Sequence, residues 1–180
     1  MSDVKDRCLE TFPSWLRTLA EDAEGLLGVL ETPGGSDGVR RAAASGINYL
    51  FKSLDLVPDG IDDIGFLDDA FVLRVSADLM GRDDAAVLGK EPVGKLAADC
   101  ALIREFLGPD YARLENYVTS LRRGAARGRS VQDIVTVPDV LREFAADVRS
   151  FGRGYQVPSF AREEKNLIKL KAFFDAKLPR

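Results

Sequence analysis

The sequence predicts an all-α protein, a compact bundle of about six to eight helices. Three observations point there. Apolar residues recur at three- and four-residue spacing along most of the chain, and no segment shows a convincing strand alternation. Capping and breaker signals separate these periodic stretches at helix-length intervals. At 180 residues, 46% hydrophobic and 30% charged, the chain has the composition of a soluble domain that needs no disulfide or metal staple.

The first helix is expected over residues 3–30, with Trp15, Leu16, Leu19, Ala23, Leu26, Leu27 and Leu30 as its apolar stripe and Pro13 as a break or restart. The run from Thr32 through Gly38 stops it. Asp37 reads as the N-cap of a second helix whose apolar face is Val39, Ala43, Gly46, Ile47, Leu50, Phe51 and Leu54. Arg41, Ser45, Asn48 and Lys52 fall on the opposite side, and the small residues Ala42, Ala43, Ala44 and Gly46 allow another helix to approach closely. An acidic corner follows, making a helix–corner–helix hairpin near the centre of the N-terminal half, and a third helix is expected over residues 66–80.

A loop over residues 81–92 is the one place to divide the chain; otherwise residues 1–180 read as one helical domain, with the hairpin at 42–80 and a C-terminal helical part at 92–180. The fourth helix covers residues 93–107, with Leu96, Cys100, Ile103 and Leu107 on one face. Pro109 suits the first position of a fifth helix carrying Tyr111, Leu114, Val118 and Leu121. Ser130-Val131-Gln132-Asp133 resembles a capping box for a short helix. Pro138 opens the next, with Leu141, Phe144, Ala145, Val148 and Phe151 inward. Residues 152–158 are a connector, and Ser159 is the expected cap of a final helix with Leu167, Leu170, Phe173, Phe174 and Leu178.

Composition removes several kinds of chemistry. The chain has no histidine, which excludes Ser-His-Asp and Cys-His catalysis and histidine-ligated zinc. Two cysteines, Cys8 and Cys100, are too few for a cysteine zinc site and resemble no disulfide framework. A buried free thiol at Cys100 and a cytoplasmic setting are expected. Asp3, Asp6 and Glu10 stand where a signal peptide needs a basic and then an apolar run. The uncharged run from Ala42 to Phe51 is ten residues, too short to cross a bilayer as a helix. A net charge of −4 with dispersed Lys and Arg argues against a nucleic-acid partner.

The informative segment is Asp55-Leu56-Val57-Pro58-Asp59-Gly60-Ile61-Asp62-Asp63-Ile64-Gly65-Phe66-Leu67-Asp68-Asp69, with six carboxylates in fifteen residues. Val57-Pro58-Asp59-Gly60 reads as a turn and Ile64-Gly65 as a second bend. Asp68 and Asp69 open the third helix, where negative charge is favoured. On a continuous helix Asp68 aligns with Val72, Val75 and Leu79, and Asp69 with Ser76 and Met80, while Arg74 and Asp78 mark the solvent side. Both aspartates therefore lean inward and need partners. The candidates are backbone N–H groups of residues 58–65, the Tyr49 hydroxyl, or Arg40, Arg41 and Lys52.

A divalent cation, Mg²⁺ or Ca²⁺ held by Asp55, Asp59, Asp68 and Asp69, is the other candidate. The spacing does not match a calcium-binding helix–loop–helix. Neighbouring aspartates on a helix diverge by about 100°, so Asp68 and Asp69 are not expected to grip one ion together. Structural capping and pairing of Asp55, Asp59, Asp62, Asp63, Asp68 and Asp69 is the first expectation, a bound cation the second, and catalysis the last.

Asn48-Tyr49-Leu50, then Asp55-Leu56-Val57-Pro58-Asp59, then Gly65-Phe66-Leu67-Asp68-Asp69-Ala70 resembles the YkvA-like family, a family of unknown function. Its pattern is a tyrosine-leucine helix end, Pro-x-Asp-x-x-Pro-Asp and Gly-x-x-Asp-Asp. The likeness covers residues 42–80, and Ser53 stands where the family has a proline. It implies a helical, bacterial, often membrane-associated protein with no assigned activity.

Arg122, Arg123, Arg127 and Arg129 form the densest basic cluster, a candidate for an anion or an acidic partner, or else a solvated helix end. Phe144, Phe151, Tyr155, Phe160, Phe173 and Phe174 concentrate aromatics in the last quarter, as core or as a partner groove. Lys165, Lys169, Lys171 and Lys177 beside an apolar face suit a membrane surface, diluted by Glu163, Glu164 and Asp175. The expected function is a non-enzymatic adaptor or regulatory protein working through a protein partner, with no cofactor. The alternatives are a divalent-cation-binding protein or metal-dependent hydrolase using the corner, and a peripheral membrane protein.

Overall fold

The computed structural model describes residues 3–180. The architecture is an all-α bundle: α1 (Val4–Glu31), α2 (Asp37–Asn48), α3 (Leu67–Asp83), α4 (Val93–Leu107), α5 (Tyr111–Ser120), α6 (Val131–Thr136), α7 (Pro138–Gly154) and α8 (Glu164–Lys177). The strand content is one two-residue antiparallel pair, β1 (Ala125–Ala126) and β2 (Arg129–Ser130). Short 3-10 turns extend α2 at Tyr49–Phe51, join α4 to α5 at Gly108–Asp110 and follow α5 at Leu121–Arg123. Among the described residues no helix is long and apolar enough to cross a membrane.

Helix α3 is the axis of the molecule, packed by α1, α2, α4 and α5. Every residue from Leu67 to Ala77 is buried, the pattern of a helix covered on all sides. The expectation that Arg74 marks a solvent face is therefore wrong: it is 1% exposed. The polar side of α2 is likewise inside. Ser45 bonds back to the Ala42 carbonyl at 3.0 Å, and Asn48 donates to the Arg129 carbonyl at 3.3 Å. The small residues of α2 do permit close approach; a Cβ at Gly46 would run into the Ser76 hydroxyl of α3.

Several boundaries differ from the sequence reading for identifiable reasons. Pro13 lies inside α1, which neither breaks nor restarts there. Phe12, Trp15 and Leu16 are buried on both sides of it, and this burial outweighs the roughly 3 kcal/mol proline penalty. Ser36, not Asp37, caps α2, accepting from the Val39 amide at 3.3 Å. Helix α3 runs on to Asp83, and the expected loop contains a 3-10 segment, Ala85–Gly89. Helix α7 continues through Gly152 to Gly154.

Ser159 caps nothing. Helix α8 begins at Glu164, and residues 155–163 form a strap outside any helix. Bonds to residues outside the strap fix its path. The Ala161 amide donates to Asp63 at 2.7 Å, and Asn166 donates to the Ala161 carbonyl at 2.8 Å.

Candidate metal centre

The chain leaves α2 through the 3-10 turn and makes the acidic corner over residues 52–66, which carries little regular structure. Its backbone bonds are Lys52 to Tyr49 at 3.1 Å, Ile61 to Pro58 at 3.1 Å and Gly65 to Ile61 at 2.9 Å, before Leu67 to Ile64 at 3.2 Å starts α3. Glycine is required at Gly65, because a Cβ there would overlap the Asp59 carbonyl oxygen. Asp63 and Phe66 adopt left-handed backbone, φ 69° and 68°. Two non-glycine residues in that region three apart mean the surrounding structure imposes the corner's path.

The inward lean of Asp68 and Asp69 is present, at 0% and 2% exposure. The Tyr49 hydroxyl donates to Asp68 Oδ2 at 2.5 Å while accepting from the Leu56 amide at 2.7 Å, and the Val57 amide reaches the same Oδ2 at 3.2 Å. Tyr49 is thus the partner among those expected that serves. Val57, one residue before the anticipated loop, supplies the backbone N–H. Arg40 instead donates to the Val135 carbonyl at 2.7 Å, and Arg41 to Asp37 at 2.6 Å.

Of these inward oxygens only Asp68 Oδ2 has donors among the described residues. Asp68 Oδ1 and Asp69 Oδ2 are buried with no hydrogen-bond partner among the described residues. Asp59, Asp68 and Asp69 each place a carboxylate oxygen within 4.8 Å of the others. This overturns the expectation that Asp68 and Asp69 diverge too far to face one ion.

Burial, followed by the charges of Asp68, Asp59 and Asp55, holds the Asp69 carboxyl well above the ordinary range. Burial also raises Asp68, against the opposing bonds from Tyr49 and Val57. Asp55 is pushed up to about 7, by burial and then by Asp68 and Asp59, with Lys52 opposing. The corner concentrates negative charge without a basic side chain bonded to Asp59, Asp68 or Asp69 among the described residues. Tyr117, whose ring meets Tyr49 edge-on at 6.3 Å, is pushed up to about 12 by burial and by the same acids.

The donor set suits a hard divalent cation. Ligands on opposite sides of Ca²⁺ lie roughly 4.8 Å apart and those of Mg²⁺ roughly 4.1 Å apart, twice the usual bond lengths. Three oxygens mutually within 4.8 Å are close enough to face one such cation, without favouring either. Asp59 is exposed and, with Asp55, Tyr117 and Lys177, lines an open groove of about 510 Å³.

The remaining candidates separate. Asp55 is at the edge of the cluster, Asp62 is exposed, and Asp63 is engaged with the strap. The four arginines make no common patch. Arg122 pairs with Asp83 at 3.0 Å, and Arg123 is exposed. Arg127 lies over the Phe51 ring at 4.8 Å. Arg129 is buried between Phe51 and Phe144 and pairs with Asp147 at 2.7 Å.

The sequence reading missed a second buried charge cluster. Arg74 bonds Asp99 at 2.9 Å, the Ala70 carbonyl at 3.1 Å and Asp22 at 3.5 Å, with its guanidinium 4.1 Å from the Trp15 ring centroid. The available signal was Arg74 itself, a lone basic residue in a stretch apolar on every face. Comparison with protein-family models, with curated proteins and with solved structures finds no match.

Proposed function

We propose that this is a divalent-cation-binding helical protein, in which Asp59, Asp68 and Asp69 hold the ion and so fix the acidic corner. One observation carries the reading: Asp68 Oδ1 and Asp69 Oδ2 are buried, unpartnered and beside a third carboxylate. Buried carboxylates either protonate or find a counter-charge. A cation supplies that charge and occupies the oxygens that no N–H reaches. The acids concerned are also those that carry the resemblance to the YkvA-like family.

A regulatory role fits this site better than hydrolysis. Asp68 and Asp69 lie at the back of the corner, and an outside molecule approaches the ion past exposed Asp59. The partner-binding role expected from the sequence is compatible with this, the ion setting the shape of the surface presented.

Isothermal titration of the chelator-treated protein with CaCl₂, MgCl₂ and MnCl₂ tests the proposal. The expected result is one site with Kd of about 10⁻⁵–10⁻³ M for at least one cation, as suits few protein ligands and several waters. Asp69→Asn is expected to weaken it at least tenfold, about 1.4 kcal/mol. Absence of heat with all three cations would remove the reading.

A further inference from the structure

We propose that the strap, residues 155–163, is latched by the acidic corner, so that cation binding at Asp59, Asp68 and Asp69 controls whether the strap stays docked. The inference rests on the cation-binding reading and adds a consequence to it.

The geometry joins the two through residues that do not touch the ion. Asp63 Oδ1 accepts the Ala161 amide at 2.7 Å. Phe66 meets the Tyr155 ring edge-on at 5.4 Å and Phe151 at 6.3 Å. Asp63 and Phe66 are the two corner residues with left-handed backbone, so their placement depends on the corner keeping its path. Gly65 transmits position between the site and the latch: it packs so closely on the Asp59 carbonyl that no Cβ fits, and its next neighbour is Phe66. A shift of Asp59 therefore moves Phe66.

The strap's other anchors are few: Tyr155 and Phe160 pack half-buried against the core, and the Glu163 amide donates to the Ala161 carbonyl at 2.8 Å. Beyond these contacts, Tyr155 donates to the Leu16 carbonyl at 2.7 Å and stacks on Phe151 at 5.4 Å, and Asn166 donates to the Ala161 carbonyl at 2.8 Å. Gln156, Val157 and Ser159 are exposed, Val157 at 49%. A segment with few buried contacts and side-chain-anchored backbone opens at low free energy. The corner is in the same position, with three internal backbone bonds before α3 begins. Like charges at Asp59, Asp68 and Asp69 favour its opening, and a cation opposes it.

Hydrogen exchange read by mass spectrometry on the full chain, chelator-treated and then with saturating CaCl₂ or MnCl₂, tests the latch. Peptides covering residues 52–66 and 155–163 are expected to slow together by at least about fivefold, the lower end of ordinary coupling between sites. In Asp63→Ala the corner is expected to slow on cation addition while the strap does not. Calorimetric binding with unchanged strap exchange would overturn the latch and leave the site standing. No binding and no protection of either segment would overturn both.

Discussion

Helix α3 carries two buried charge clusters less than two turns apart, and they are settled in opposite ways. Arg74 has its partners built in: Asp22 from α1, Asp99 from α4, the Ala70 carbonyl and the face of Trp15. Asp68 and Asp69 have one hydroxyl and one amide between them, both on Asp68 Oδ2, and two oxygens with no donor. The first cluster is complete as a polypeptide. The second is complete only with protons or a cation. Buried charge alone does not mark a functional site; the imbalance at Asp68 and Asp69 is what makes the corner the candidate.

The comparison is broken most severely by removing Arg74. Arg74→Ala leaves Asp22 uncompensated in the core and is expected to cost about 3–5 kcal/mol in urea unfolding. A loss below about 1 kcal/mol would mean the clamp is dispensable. Asp99→Asn, which weakens one side of the clamp, is expected to cost about 1.5–3 kcal/mol, the range for a hydrogen bond to a charged group.

Single neutralisations give opposite signs at the two clusters. Asp69→Asn in the corner removes a repelling charge and is expected to stabilise the cation-free protein by about 1 kcal/mol, while reducing stabilisation by added CaCl₂. Destabilisation of the cation-free protein by Asp69→Asn would show that the corner is already balanced.

The pH dependence sharpens the same contrast. The folded state raises the Asp69 carboxyl above its unfolded value, so the fold binds the proton more tightly. The stability this confers is present below the unfolded pKa, about 4, and is lost as pH rises through the raised folded value. Cation-free wild type and Asp69→Asn should therefore be nearly equally stable near pH 4 and diverge toward pH 8, with wild type the weaker. Thermal unfolding of both at each pH checks this, and parallel curves would contradict it.

What the sequence made legible follows from what is local. Helical periodicity located α4 and α6 closely, because the apolar face of one and the Ser130 cap of the other are local, whereas Pro109 opens a 3-10 turn and α5 starts two residues later, at Tyr111. The burial of Asp68 and Asp69 was foreseen, though not for the reason read from register, since α3 is buried on every side from Leu67 to Ala77. Arg74 was not, because its partners lie 52 and 25 residues away. The convergence of Asp59 on Asp68 and Asp69 depends on how the corner folds over the end of α3, which spacing along the chain does not encode. Ser159 failed as a cap for a related reason: Asp63, 98 residues from Ala161, holds the backbone there in another conformation.

The most direct test is the effect of a cation on stability in wild type and Asp69→Asn side by side. At a concentration one hundred times the wild-type Kd, wild type should gain about 2.7 kcal/mol over the chelator-treated protein, and Asp69→Asn no more than about 1.4 kcal/mol. Equal responses, or none in wild type, would contradict the claim that the acidic corner is completed by a divalent cation.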